Sequence, residues 1–199
     1  LPHLDQARAE WAVRVFNRLR IPDVPGTPAL SEACGDWFRE IVMALHGSLN
    51  ATTRERMIRE LFLLVPKKNA KTTLGAALML TSVMINDRPR AEFLIVAPTK
   101  EIAQLAFDQA TGMIELDEGL RRRFHIQAHK KTITFLQSGA TLQIKTFSPD
   151  VMTGVKPAGI LVDEEHVIAE QSDAARVMGQ LRGGMVSQPD AFLLLLTPH

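Results

Sequence analysis

Tyrosine is missing from this chain, and cysteine appears once, as Cys34. A single thiol closes no internal disulfide and builds no cysteine zinc site, so nothing points to an oxidising compartment. An excess of charge of one sign is lacking too: 23 Lys and Arg stand against 22 Asp and Glu, a formal net charge of +1. That balance excludes a bulk electrostatic binder of nucleic acid or membrane and leaves room only for a local patch. The most apolar stretch, residues 75–85, falls short of the roughly 20 residues a membrane-spanning helix needs. The opening LPHLDQARAE has neither the cationic start nor the apolar run of a signal peptide. Internal repeats and low-complexity tracts are absent as well. What remains is a 199-residue chain, 46% hydrophobic, with enough apolar residues for a real core and none of the signature of disorder. The expectation is a soluble, cytosolic globular domain without a membrane partner.

Residues 1–20 read as an amphipathic helix, with Leu4, Ala7, Trp11, Val15 and Leu19 on one stripe and Arg8, Arg14 and Arg18 off it. Three prolines and a glycine within residues 21–28 dictate a loop. A helix is expected over 36–46, stopped by Gly47, and a short charged helix over 54–60. From residue 61 the pattern changes. Apolar strand candidates at 61–65, 93–97, 133–136, 142–147, 159–162 and 192–196 alternate with helical stretches at 72–86, 100–114 and 173–181. Short, nearly all-apolar strands separated by helices imply a mainly parallel sheet flanked by helices on both faces. KTITFLQSGATLQIKTF is the exception and reads as an antiparallel hairpin or an edge element. The fold class is therefore α/β, with a helical N-terminal extension (1–60) and a core (61–199).

The chemistry concentrates at two strand ends. The strand LFLLV runs directly into PKKNAKTT and a long helix, which puts Lys71-Thr72 where a Walker A loop carries its Lys-Ser/Thr. Such a loop wraps phosphates in backbone N–H groups, brings a lysine to the β/γ oxygens and offers a hydroxyl to Mg²⁺. Val65 and Ala70 stand where the pattern has glycines, and an ordinary helix start is the alternative. Clustering of Lys67, Lys68 and Lys71 favours an anion. The second strand end, ILVDEEH at 160–166, has Walker B form: Asp163 to hold the Mg²⁺ shell and Glu164 to orient and activate water. Ligands in such sheets sit at the carboxyl ends of the strands, which unites the two motifs.

Other features are less specific. His166 completes a D-E-x-H string, or caps a helix at the surface. Thr197, ending the apolar run AFLLLLTPH, belongs beside a γ-phosphate if its strand is central. Thr99 and Lys100 open a helix and suit a DNA phosphate or an ordinary cap. Arg121, Arg122, Arg123, Lys130 and Lys131 form the most basic window, suited to DNA, to an arginine finger or to a solvated face.

In their order and spacing, PKKNAKTTLGAALML, APTKEIAQLAFDQA, TGVKPAGILVDEEH and LLLLTPH resemble the ATPase domain of tailed-bacteriophage terminase large subunits, over residues 37–199. The resemblance implies a P-loop NTPase of the RecA-like (ASCE) type, hydrolysing ATP with Mg²⁺ to drive double-stranded DNA into a procapsid. It implies a homo-oligomeric ring at the portal protein, a small terminase subunit as partner, and work in the cytoplasm of the infected bacterial host. Carried over by position, Pro66, Lys67, Lys68, Asn69, Ala70, Lys71, Thr72 and Thr73 cradle the nucleotide, with Lys67 or Lys68 sensing the γ-phosphate. Thr72 and Asp163 hold Mg²⁺, partly through water, Lys71 and Glu164 are catalytic, and Thr197 matches the coupling motif. The family usually has glycine at Ala70, places an adenine contact near Trp37, and supplies an arginine in trans, for which Arg121, Arg122, Arg123 and Arg182 are candidates. The family's metal-dependent, RNase H-like nuclease is expected to be absent from these residues. Two rivals stay open: a D-E-x-H helicase or translocase, and a non-catalytic scaffold that has lost its loop glycines.

Overall fold

A computed structural model of the chain describes residues 4–66, 68–151 and 154–198. It contains α1 (Gln6–Arg18), α2 (Leu30–Ala33), α3 (Asp36–Gly47), β1 (Glu60–Val65), α4 (Lys71–Ile85), β2 (Glu92–Ala97), α5 (Lys100–Glu115) and α6 (Glu118–Arg123). Then come β3 (Phe124–Gln127), β4 (Thr132–Phe135), β5 (Ala140–Thr146), β6 (Gly159–Val162), α7 (Glu165–Ala169), α8 (Ala174–Gly184) and β7 (Phe192–Pro198). The strands form one seven-stranded sheet in the order β1-β7-β6-β2-β5-β4-β3. The first five of these pair in parallel, and β4 and β3 add antiparallel at the edge, as the hairpin pattern predicts.

Helices cover both faces of the central strands, so β2, β6 and β7 are buried along nearly their whole length and read as continuous apolar runs. One core lies between the sheet and α1, α3, α4 and α5; a second, smaller one lies under α7 and α8. Helix α4 is apolar all round and is the central helix of the larger core. Gly75 lets it sit close on the sheet, since a Cβ there would lie 2.8 Å from Leu161 Cδ1 and 3.1 Å from Leu196 Cδ1.

Two expectations are corrected. The core face of α1 is Ala9, Ala12 and Phe16, joined by Leu19, whereas Ala7 is exposed and Trp11 is 40% exposed. Small residues at 9 and 12 let α1 approach its neighbours: a Cβ on Gly47 would come within 2.8 Å of Ala9 Cβ. No helix forms over 54–60. The backbone there bonds elsewhere, Arg56 N–H to the Pro189 carbonyl (3.1 Å) and Met57 N–H to the Ser48 carbonyl (2.8 Å). The buried Arg56 guanidinium donates to the carbonyls of Asp190 (2.8 Å) and Leu45 and lies 5.1 Å over the Phe192 ring. It pins the N-terminal segment to the sheet. The basic window spans α6, β3 and the turn that follows at 128–131, elements of six and four residues that are too short to show periodicity in the sequence.

His46, at the end of α3, is wholly buried. Its Nδ1–H donates to the Val42 carbonyl (2.9 Å), and Nε2 accepts from the Ser82 hydroxyl (2.8 Å). Burial, reinforced by the Arg56 cation, pushes its pKa down to about 3. The unfolded chain takes up this proton near an ordinary pKa of about 6.5 and the folded chain refuses it, so stability is complete above that value and is lost as pH falls. Denaturant unfolding at pH 7 and pH 5 is expected to differ by roughly 2 kcal/mol from this group, and His46→Gln is expected to flatten the difference. Equal slopes for the two proteins would show that another group carries the acid sensitivity.

Candidate functional site

Strand β1 is the edge strand of the sheet, and its register with β7 sets Leu64 opposite Thr197 and Val65 opposite Pro198. The loop leaving β1 therefore begins beside the end of β7. It turns into α4 through backbone that side chains seldom adopt, Lys68 at φ 68° and Ala70 at φ 52°. Asn69 steadies the turn by donating from Nδ2 to the Pro66 carbonyl (3.1 Å). Ala70 is the N-cap of α4 and provides no side-chain acceptor, so the first N–H groups of a 15-residue helix are left open. Such an end favours an anion through both free donors and the helix dipole.

Facing it, Asp163 directly follows β6 and is fully buried. Its carboxylate accepts from the Thr72 hydroxyl at Oδ2 (2.8 Å) and, at Oδ1, from Lys71 Nζ (3.3 Å) and the Glu164 N–H (2.9 Å). Lys71 also pairs with Glu164 Oε1. Glu164 stands at φ 54°, the tight corner from β6 into α7 that turns its side chain back over the strand end. Its second oxygen lies 3.6 Å from His166 Nε2, and His166 Nδ1 lies 3.0 Å from the hydroxyl of the buried Thr197. A continuous polar chain thus runs Thr72–Asp163–Lys71–Glu164–His166–Thr197. Three left-handed non-glycine residues on one site mark backbone strain held by its surroundings, which is commonest where a ligand must be met.

Thr72, Lys71, Glu164 and His166 of this chain line a cavity of about 500 Å³, within the usual range for small-molecule sites, while Asp163 and Thr197 lie behind its wall. Lys68, Asn69, Ala70, Lys71, Thr72 and Thr73 form one side, and Glu164 and His166 the other. The structure thus brings both motifs together. Lys67 lies outside the described residues. Asp23, Leu105, Gln109 and Pro198 complete the wall and were not foreseen. Gln109 is buried and accepts the Thr73 hydroxyl at 3.0 Å; a lone glutamine on the apolar face of α5 was the available signal. For Asp23, on a loop placed by tertiary packing, the sequence held none.

Trp37 does not line the cavity; it is 45% exposed and packs edge-on to Phe38. Arg121, Arg122, Arg123 and Arg182 lie away from it as well, with Arg182 bound to Glu60 at 2.7 Å and Arg122 to Glu118. Thr99 is a helix cap that accepts the Ile102 N–H (3.3 Å), while Lys100 lines a separate open cavity along α5. Among the described residues no cluster of three or more His, Cys, Asp or Glu could hold a metal. Thr72 and Asp163 instead offer a pair of hard oxygen donors, the set suited to Mg²⁺, which keeps water and phosphate oxygens as its other ligands.

The family described as "Terminase large subunit, ATPase domain" matches residues 36–198. Among solved structures, the large terminase of bacteriophage HK97 superposes with a TM-score of 0.75 at 18% identity, covering 96% of this chain and 37% of that one. The large terminase ATPase domain of Thermus phage P74-26 gives 0.54 at 14% identity, over 71% of this chain and 60% of that one. The large terminase of another thermophilic bacteriophage, in complex with ADP, gives 0.50 at 17% identity, over 70% and 33%. The chain thus spans little more than a third of the HK97 protein. No curated protein matches it in sequence.

Ala70 occupies a conformation that glycine adopts freely and that costs an L-residue about 1–2 kcal/mol. In thermal unfolding, Ala70→Gly is expected to match or exceed the parent in stability, and Ala70→Val to lose roughly 1–3 kcal/mol. A marked loss in Ala70→Gly would show that the left-handed turn is unstrained.

Proposed function

The chain belongs to the family of terminase large-subunit ATPase domains, and on that premise we propose that its cavity binds ATP with Mg²⁺ and hydrolyses it to translocate double-stranded DNA into a procapsid. The observation that carries the reading is the convergence of Lys71 and Thr72, on the first turn of α4, upon Asp163 at the end of β6. A thermophilic-phage large terminase solved in complex with ADP supports nucleotide binding. Membership of this family favours a terminase over a helicase, and the intact Lys71, Thr72, Asp163 and Glu164 favour catalysis over a non-catalytic scaffold.

In this proposal the open N–H groups of α4 and the side chains of Lys68 and Lys71 receive the β- and γ-phosphates. Mg²⁺, when bound, neutralises phosphate charge, with Thr72 and Asp163 as its protein-side oxygens, partly through water. Lys71 is shared by two carboxylates in the structure. Phosphate oxygens compete for that ammonium, which frees the Glu164 carboxylate to orient water and take its proton. Asp163, buried and hydrogen-bonded, stays an acceptor throughout. Thr197 and His166 link the Glu164 side chain to the end of β7, a route by which hydrolysis is felt in the sheet.

We read residues 61–199 as the ATPase core and 1–60 as an extension that shares its hydrophobic interior. With a net charge of +1, grip on DNA comes from local patches repeated around a homo-oligomeric ring, seated on the portal protein, served by the small terminase subunit and acting in the cytoplasm of the infected host. No helix among the described residues is long and apolar enough to cross a membrane.

The test is DNA-stimulated ATPase together with equilibrium nucleotide binding. Lys71→Ala is expected to lose both. Glu164→Gln is expected to keep binding and lose turnover by about 10²–10⁴-fold. Unchanged turnover in Glu164→Gln would remove it as the base.

A further inference from the structure

At the far end of α4 from the phosphate loop, about 20 Å along the helix axis, lies a second feature that the ATPase site does not use. Two adjoining cavities, of about 300 and 490 Å³, share Trp11, Val15, Met84 and Arg123 and form one groove between α1, the end of α4, α6 and the β4–β5 turn. Apolar Trp11, Val15 and Met84 line both cavities, with Leu120 at one end and Phe135 at the other. Helix α1 carries apolar residues on two faces. Ala9, Ala12 and Phe16 are spent on the core, while Trp11, at 40% exposure, is left facing outward.

The rim is cationic. Arg14, Arg18 and Arg123 have no carboxylate or carbonyl partner among the described residues. The two acids of the groove are already engaged, Asp117 in capping α6 through the Leu120 N–H (3.1 Å) and Asp87 with Arg8 (2.8 Å). Arg14 and Arg18 stand one turn apart on α1, a spacing that carboxylates one turn apart on a second helix can match. We propose that this groove receives an amphipathic helix from a partner protein, its apolar stripe set against Trp11 and Met84 and its flanking Asp or Glu side chains paired with Arg14, Arg18 and Arg123. A peptide fits better than nucleic acid, because the carboxylates of Asp117 and Asp87 lie within the groove and repel a phosphate backbone, whereas Trp11, Val15 and Met84 offer an apolar stripe along both cavities.

The chain has two tryptophans, so Trp37→Phe leaves Trp11 as the sole reporter. A randomised helical peptide library is selected in parallel on the native chain and on Arg14→Glu/Arg18→Glu, and the tightest peptide is titrated against Trp37→Phe. Expected are enriched sequences with apolar residues at i, i+3/i+4 and i+7 flanked by Asp or Glu, and a saturable shift of Trp11 emission. Affinity should weaken by about tenfold or more in the double-glutamate variant, whose melting temperature and basal ATPase stay unchanged. Selected peptides without acidic bias, equal affinity for the variant, or unchanged Trp11 emission would each overturn the proposal. Saturation of the Trp11 signal by duplex DNA that displaces the peptide would make the groove a nucleic-acid surface instead. Self-association abolished by the same variant would make its occupant a second copy of the chain.

Discussion

A carboxylate with no exposure to solvent organises this molecule. Asp163 directly follows a strand buried on both faces, and an unpaired charge there would cost roughly 3–5 kcal/mol. Its partners are therefore obligatory: the Thr72 hydroxyl, the Lys71 ammonium and the N–H of Glu164. Two of these come from the first turn of α4 and the third from the corner leading into α7. Satisfying one buried charge thus aligns the end of β6 with the loop that follows β1, although β7 lies between them in the sheet. The strained turns at Lys68, Ala70 and Glu164 are what the backbone accepts to meet that demand.

The same helix joins the site to the rest of the chain. Close seating at Gly75 holds the N-terminal turn of α4 against β6 and β7, and its apolar length fills the larger core. At its other end Ser82 bonds the buried His46, and Arg8 of α1 donates to the Ile85 carbonyl (3.1 Å). Arg56 adds a third tie by reaching the carbonyls of Leu45 and Asp190. The N-terminal segment is therefore packed onto the sheet through polar anchors as well as apolar contact, and a partner seated on α1 would press on the helix that carries the phosphate loop.

Much of this was legible beforehand. Strands β2, β6 and β7 showed as continuous apolar runs, because burial on both faces removes the alternation that marks a half-exposed strand. By contrast, β5 alternates, and β1, at the edge, leaves Phe62 and Leu64 exposed. The Lys71-Thr72 and Asp163-Glu164 pairs were legible because their chemistry demands residue types at strand ends. Trp11 was misplaced because a helical stripe counts apolar residues without weighing size: alanines at 9 and 12 allow closer packing than tryptophan does. The expected helix at 54–60 failed because Arg56 finds better acceptors across the fold than along its own turn.

By itself the sequence determined the α/β class, the positions of its parallel strands along the chain and the two strand ends that carry the chemistry. These follow from local hydrophobicity and from residue types with few other uses. Tertiary structure alone decided that Gln109 and Asp23 join the cavity, that His166 bridges Glu164 and Thr197, and that Trp11 faces a groove. Each depends on distances between segments tens of residues apart, which are set by packing in the folded core and leave no trace in local pattern.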